Sequence, residues 1–290
     1  MLKRIVTIQD ISCFGKCSLT AALPLISAMG VETAVIPTAV LSTHTGGFTG
    51  YTFRDLTVDI PQIAAHWKRL QLHFDGIYTG YLGSIQQVQM TADFIEMFSD
   101  ANTKVIVDPV MGDAGTRYAG FTPDFDVEMQ KLCSKADVIV PNLTEAALLL
   151  KIPYAEVHAE KRIKEILQDL TKLGCQKAVL TGVCYDAQHH GAVAYDSETD
   201  QYYSAFRKHI PEPMHGTGDI FSSVLSGALV RNASLEQALN IAVNFTADAI
   251  EATVKDLHTF PREQAPWYGV EFETCMGNLI HDTTQLFKDS

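Results

Sequence analysis

The chain has 290 residues, 47% of them hydrophobic, enough apolar material for one large α/β core. Its formal net charge of −12, with lysines and arginines scattered along the chain, argues against a non-specific nucleic-acid surface or an anionic-membrane surface, because both need a basic patch. An anionic substrate would therefore have to be held by local backbone amides or by a metal. Cys13, Cys17, Cys133, Cys175, Cys184 and Cys275 form no C-x-x-C pair and no regular spacing, which speaks against a zinc site or a disulfide framework and for a reducing, cytoplasmic setting.

The basic start, Met1 to Ile8, is apolar only until Gln9 and Asp10, too short for a signal peptide or a membrane span, and reads as a first strand over residues 4–9. Further β-branched runs at 33–37, 76–79, 104–108, 138–140 and 177–181 read as strands. The stretches between them, 19–29, 61–72, 85–98, 124–133, 143–150 and 159–173, carry helical periodicity, the first with a Pro24 expected to kink it. Strand and helix in alternation predict a mostly parallel sheet covered by helices on both faces, a three-layer α/β/α sandwich. After Thr181 the pattern changes. The pair His189-His190 reads as exposed loop, residues 192–195 and 201–206 as an antiparallel hairpin at the sheet edge, and 219–230 and 235–253 as two helices. No repeat or linker divides the chain, so one domain over residues 1–290 is expected.

In open α/β sheets ligands collect outside the carboxyl ends of the strands, and five polar segments follow predicted strands. Asp10 could hydrogen-bond a polar ligand or cap a turn. Ser42-Thr43-His44-Thr45-Gly46-Gly47 offers hydroxyls, an imidazole and two glycines, as a pocket wall with a hinge or as ordinary turn formers. In Thr79-Gly80-Tyr81-Leu82-Gly83-Ser84, Tyr81 could lie against a ligand ring or be merely half-buried, and Ser84 suits a helix N-cap. Asp108 and Asp113 are hard-oxygen candidates for Mg²⁺ held partly through water, although Asp108 could equally end its strand before Pro109. Asn142 followed by Glu145 matches a capping box, and Glu145 could do both jobs.

The richest segment is His215-Gly216-Thr217-Gly218-Asp219, a glycine-rich turn opening a long apolar helix. Gly216, Thr217 and Gly218 would let consecutive amides converge at a helix N-terminus, where the unpaired N–H groups and the dipole favour a phosphate. Asp219 beside that anion hole suits a general base for a hydroxyl attacking a phosphoryl group, although a carboxylate there also complements the dipole without chemistry.

Taken in order, Ile8-Gln9, Ser42-Thr43-His44-Thr45, Thr79-Gly80-Tyr81-Leu82-Gly83-Ser84, Asp108-Pro109-Val110-Met111-Gly112-Asp113, Pro141-Asn142-Leu143-Thr144-Glu145 and Gly216-Thr217-Gly218-Asp219 resemble the pyridoxal kinases of the ribokinase superfamily over nearly the whole chain. The resemblance implies a ribokinase-like fold and transfer of the γ-phosphoryl group of ATP to the 5′-hydroxymethyl of a vitamin B6 vitamer. Asp219 would be the base and the amides of residues 216–219 the anion hole. By the same carry-over Asp113, Asn142, Thr181, Thr217 and Gly218 would lie along the nucleotide, Asp108 and Glu145 would organise Mg²⁺, and His44, Thr45 and Tyr81 would line the ring pocket. A monovalent cation such as K⁺ near the phosphates and a homodimer are further family expectations. The chain departs from the family at Thr43, where Asn is usual, and at Asp10-Ile11, where many members have Ser-His. An anionic Asp10 would pair with a protonated ring nitrogen or a substrate amine. The sister activity, a hydroxymethylpyrimidine kinase, and a non-catalytic B6-binding protein are the alternatives, while the lack of G-x-G-x-x-G after the first strand speaks against a dinucleotide enzyme.

Overall fold

The structure, a computed structural model, describes residues 2–154, 160–260 and 267–288. In chain order the elements are β1 (Lys3–Ser12), α1 (Leu19–Ala28), β2 (Val31–Leu41), β3 (Phe53–Asp55), α2 (Ile60–Arg69), β4 (Gly76–Thr79), α3 (Ile85–Phe98), β5 (Lys104–Val107), β6 (Gly112–Asp113), β7 (Thr116–Arg117), α4 (Pro123–Cys133), β8 (Val138–Ile139), α5 (Leu143–Leu150), α6 (Glu160–Thr171), β9 (Lys177–Val183), β10 (His189–Asp196), β11 (Gln201–Lys208), α7 (Thr217–Val230), α8 (Leu235–Thr259) and α9 (Met276–Leu286). Among the described residues, nine strands form one sheet in the order β11-β10-β9-β8-β5-β4-β1-β2-β3, with β6 and β7 as a separate ribbon. The six strands from β9 to β2 are parallel, and antiparallel strands close both edges.

Strand residues alternate between two cores. Val6, Ile8, Ile77, Val105, Val107, Ile139, Ala178 and Leu180 face α2 to α6, while Ile5, Tyr78, Ile106, Val138 and Val179 face α1, α7, α8 and α9. Both faces are apolar because both are covered, the signature of a parallel sheet in a three-layer fold. Val224 and Leu225 of α7 are fully buried, each stabilising the packing by about 1.5–3 kcal/mol, so α7 is anchored across β1, β4 and β5 with its N-terminus at their carboxyl ends.

Among the strands that outrun their expected ends, β1 and β2 bear on the site. β1 continues to Ser12, so Asp10 lies in the sheet and not in a loop, and β2 passes through Pro37 to Leu41. Pairing jumps from Gln9↔Pro37 to Ile11↔Val40, an irregularity that sets Asp10 opposite two residues of β2. Such bulges re-aim side chains beside functional sites. Proline is tolerated there because β3 pairs only with residues 39–41, leaving β2 open on that side at Pro37.

His189-His190 opens β10, contrary to the loop expected. His189 is exposed beside Asp186, while His190 is half-buried with its ring centroid 5.5 Å from that of His209. Pro24 does lie inside α1, and α8 runs six residues past its expected end at 253, to Thr259. The helix expected over 159–173 is described from Glu160; Ala159 lies outside the described residues. The six cysteines are free thiols. Among the described residues no helix is long and apolar enough to cross a membrane.

Candidate active site

Parallel strands bring Asp10, Thr79-Gly80-Tyr81, Asp108, Asn142 and Thr181 to one edge of the sheet, the edge over which α7 begins. Ladder bonds carry on past the strand ends. The Gly80 amide donates to the Ile8 carbonyl at 3.0 Å, Asp108 to Thr79 at 3.1 Å and Thr181 to Pro141 at 3.0 Å, so the site residues hang from a rigid frame.

Gly216 precedes α7 at φ +83°, and a Cβ there would meet the Lys16 carbonyl oxygen at 2.1 Å and Cys17 Sγ at 3.3 Å. Glycine is required on both counts, by the left-handed backbone and by the close approach of residues 16 and 17. α7 starts at Thr217, two residues before the expected start, so Thr217, Gly218 and Asp219 supply the first unpaired amides of the helix. No carbonyl of the preceding turn can reach those amides in helical geometry, and Gly218 is exposed, so an anion has access to them.

Asp219, in the first turn of α7, is only partly exposed and is surrounded by protein on most sides. Burial pushes its pKa up to about 7 and the Asp10 charge adds to the rise, while the Ser18 backbone amide works against it. A carboxylate in that range is suited to general-base work at neutral pH.

Asp10 is buried, and its two oxygens accept from Ser18 Oγ at 2.5 Å and Ser12 Oγ at 3.1 Å. Burial raises its pKa against both hydroxyls. Tyr81 is near enough for the Asp10 charge to help burial raise its phenol pKa, and its ring stacks on Phe121 at 5.8 Å. Asp10 and Tyr81 are thus neighbours.

His44 is buried beside His215 and the backbone of Tyr268. Its Nε2–H donates to the Tyr268 carbonyl at 2.5 Å and its Nδ1 accepts from the Gly46 amide at 3.1 Å, a pairing that fixes one neutral tautomer. Burial lowers its pKa, and His215, 5.4 Å away between ring centroids, lowers it further. Gly46 is needed for contact, because a Cβ there would meet the His215 ring at 2.5 Å. Thr45, on the same loop, is exposed.

Asp108 and Glu145 form a buried acidic pair. Asp108 accepts from Ser222 Oγ at 2.7 Å, and burial, with Asp219 adding its charge, raises its pKa to about 8. Glu145 completes the expected capping box with Asn142. Its Oε2 accepts from the Asn142 amide at 2.8 Å and its Oε1 from the Met111 amide at 3.1 Å, yet burial and the Asp108 charge hold its pKa well above the carboxylate range. A divalent cation fits such a pair, since it would relieve the repulsion that raises both pKa values. Among the described residues no group of three or more His, Cys, Asp or Glu could hold a metal, so the remaining ligands would come from water and substrate phosphate. Asn142 also donates from Nδ2 to the Gly112 carbonyl at 2.9 Å, tying the cap to β6, where an exposed Asp113 accepts from the Ala114 amide at 2.8 Å. Thr181 is half-buried, its backbone bridged to Asn142.

Several residues of this edge escape a sequence reading. Ser18 sits between Asp10 and Asp219, and Ser222 supports Asp108 from α7. Tyr78 lies fully buried below, its pKa raised chiefly by burial and then by Asp108 and Asp219. The segment after α8 brings Tyr268 onto Phe14 and His44, and Glu273 onto Lys16 at 2.6 Å. Only Ser222 left a signal, as part of Ile220-Phe221-Ser222-Ser223-Val224-Leu225-Ser226, where serines interrupt an otherwise apolar buried helix.

A doubly covered, mostly parallel sheet with a buried carboxylate behind a glycine turn at the start of a helix, at its carboxyl edge, has the architecture of a ribokinase-like small-molecule kinase. Residues 13–260 match the phosphomethylpyrimidine kinase family, and the chain belongs to that family, among relatives that include pyridoxal kinases. It is similar to a Bacteroides thetaiotaomicron protein assigned as a phosphomethylpyrimidine kinase and crystallised with pyridoxal, at 39% identity and a TM-score of 0.89 over 96% of each chain. Pyridoxal kinase from Lactobacillus plantarum superposes with a TM-score of 0.88 at 33% identity, covering 98% of this chain and 99% of that one. A pyridoxine/pyridoxal/pyridoxamine kinase of Bordetella avium is 26% identical over 263 residues, 87% of this chain and 86% of its own length.

Proposed function

We propose that the protein is an ATP-dependent kinase that phosphorylates the 5′-hydroxymethyl group of a vitamin B6 vitamer: pyridoxal, pyridoxamine or pyridoxine. The observation that carries this reading is Asp219, with a pKa raised to about 7, placed in the first turn of α7 directly behind the glycine turn. The likeness to a pyridoxal kinase and to a protein crystallised with pyridoxal supports the choice of ring.

In this reading the amides of residues 216–219 hold the transferring phosphoryl group, and Asp219 takes the proton of the attacking hydroxyl. Most of the catalysis of phosphoryl transfer is positioning and charge stabilisation, which a rigid turn against residues 16 and 17 supplies. Asp113, Asn142, Thr181, Thr217 and Gly218 line the nucleotide side; His44, Thr45 and Tyr81 line the ring side. Asp108 and Glu145 would hold Mg²⁺ through water. When bound, that ion neutralises charge on the phosphates. A monovalent cation such as K⁺ near the phosphates, a homodimer, a cytoplasmic location and a single kinase domain over the whole chain belong to the same proposal. Light scattering of the purified chain tests the dimer.

Asp10 sets the ring preference by pairing with a protonated ring nitrogen or a substrate amine. Asp10→Asn keeps an acceptor oxygen but removes the charge, so the KM for the preferred vitamer is expected to rise about 10-fold, one charge-assisted hydrogen bond's worth, with the KM for ATP unchanged. Unchanged KM for every vitamer would remove Asp10 from the ring pocket.

The family match itself favours a second reading, a hydroxymethylpyrimidine kinase acting on a ring with the same kind of hydroxymethyl group. ADP release from Mg·ATP, measured with pyridoxal, pyridoxamine, pyridoxine and hydroxymethylpyrimidine in separate reactions, tests both. Turnover on the vitamers supports the B6 reading, turnover on the pyrimidine alone reassigns the ring, and vitamer binding without turnover makes the protein a B6 carrier.

A further inference from the structure

Ser18 lies at φ +54° and ψ −134°, the conformation of the first central residue of a type II′ turn, where glycine is the usual occupant. Lys151, another residue with positive φ, sits instead in the ordinary left-handed helical region at +55° and +41°. Strain of the Ser18 kind persists only where the surroundings over-determine it, and it gathers at functional sites.

Each polar group of Ser18 is engaged. Its carbonyl accepts from the Ala21 and Ala22 amides at 3.1 and 2.9 Å and starts α1. Its amide faces the Asp219 carboxylate. Its hydroxyl donates to Asp10 Oδ1 at 2.5 Å. Glycine would supply the first two interactions from the same backbone without strain; only the bond to Asp10 requires a side chain. The strain is therefore tied to Asp10. The neighbouring residues fix the other partner, since Lys16 and Cys17 pack against Gly216 at the start of the anion turn.

Resting on the kinase reading above, we propose that Ser18 is a positioning residue that holds the substrate-side carboxylate Asp10 and the base Asp219 in register, its hydroxyl on one and its amide on the other. A vitamer gripped by Asp10 at its ring would then present its hydroxymethyl group to Asp219 at a set distance. Two like charges are also kept apart by two donors between them.

The test compares wild type with Ser18→Gly, Ser18→Ala, Asp10→Asn and the Asp10→Asn/Ser18→Gly double variant in steady-state assays with pyridoxal, pyridoxamine and Mg·ATP, alongside thermal melts. Ser18→Gly relieves the backbone but leaves buried Asp10 without one donor, so it is expected to fold and to melt within a few degrees of wild type. At the same time its KM for the vitamer should rise about 10-fold, with the KM for ATP within about twofold. Ser18→Ala should share the KM defect and melt below Ser18→Gly, because it loses the same bond and keeps the positive-φ strain. In the Asp10→Asn background Ser18→Gly should add little, because the hydroxyl acts through Asp10. A Ser18→Gly enzyme with wild-type vitamer KM, or one whose defect is equally large without Asp10, overturns the proposal while leaving the kinase reading intact. A wild-type protein that turns over no vitamer overturns both.

Discussion

Replacing Asp219 by Asn is expected to lower kcat with B6 vitamers about 10²–10⁴-fold while leaving both KM values near wild type, because Asn keeps the shape of the side chain and loses only its basicity. The pH dependence gives an independent reading of the same group. With the pKa raised to about 7, chiefly by burial, Asp219 is protonated in the free enzyme at pH 6 and unable to accept a proton. Its kcat/KM should therefore climb through pH 6–8, tenfold per unit on the acid side, and that limb should vanish in Asp219→Asn. Rate profiles of the two proteins between pH 5.5 and 9 check this. An Asn variant with near wild-type kcat would assign the catalysis to the amides of the turn and the bound cation, an outcome that phosphoryl transfer permits.

The alternation of β-branched runs with amphipathic stretches was enough to infer the three layers, because each strand of a doubly covered sheet must be apolar on both faces. The same rule explains where the reading stopped. Asp10 and Ser12 look like a loop in the sequence, yet β1 continues through them because their polar side chains bond one another and Ser18, a satisfaction that no local pattern announces. Pro37 reads as a strand end until the missing neighbour on its outer side is known. The candidate site was legible where chemistry is packed into contiguous residues, as at 216–219 or in the Asn142–Glu145 box. It was not legible where partners are far apart in the chain, as with Ser222 and Asp108, separated by 114 positions, or His44 and Tyr268, separated by 224. The segment from Trp267 onward was missed for a related reason. It owes its place to docking: Val270 and Phe272 enter the core beside α8, and Lys16 meets Glu273.

Asp108 should behave as a residue that costs stability and supports activity. Its pKa rises from 3.8 to about 8 in the folded protein, chiefly through burial, so the native state holds this proton more tightly than the unfolded chain does. The associated stability is fully present below about pH 4 and is lost as pH rises through about 8. Asp108→Asn removes the charge, retains an oxygen for the Ser222 hydroxyl and takes away one of the charges that disfavour ionised Glu145. Without nucleotide or divalent cation, the variant is expected to melt at least ~2 °C above wild type at pH 8.5 and close to it at pH 5. Its apparent affinity for Mg²⁺ in turnover should fall about 10–100-fold, the loss typical of an outer-shell ligand. Melts at the two pH values and a Mg²⁺ titration of ADP release measure both halves. A variant destabilised equally at pH 5 and pH 8.5 would mean that Asp108 serves the core through its bond to Ser222. A stabilised variant with lost Mg²⁺ dependence would show that the fold tolerates a buried charge in order to hold the cation.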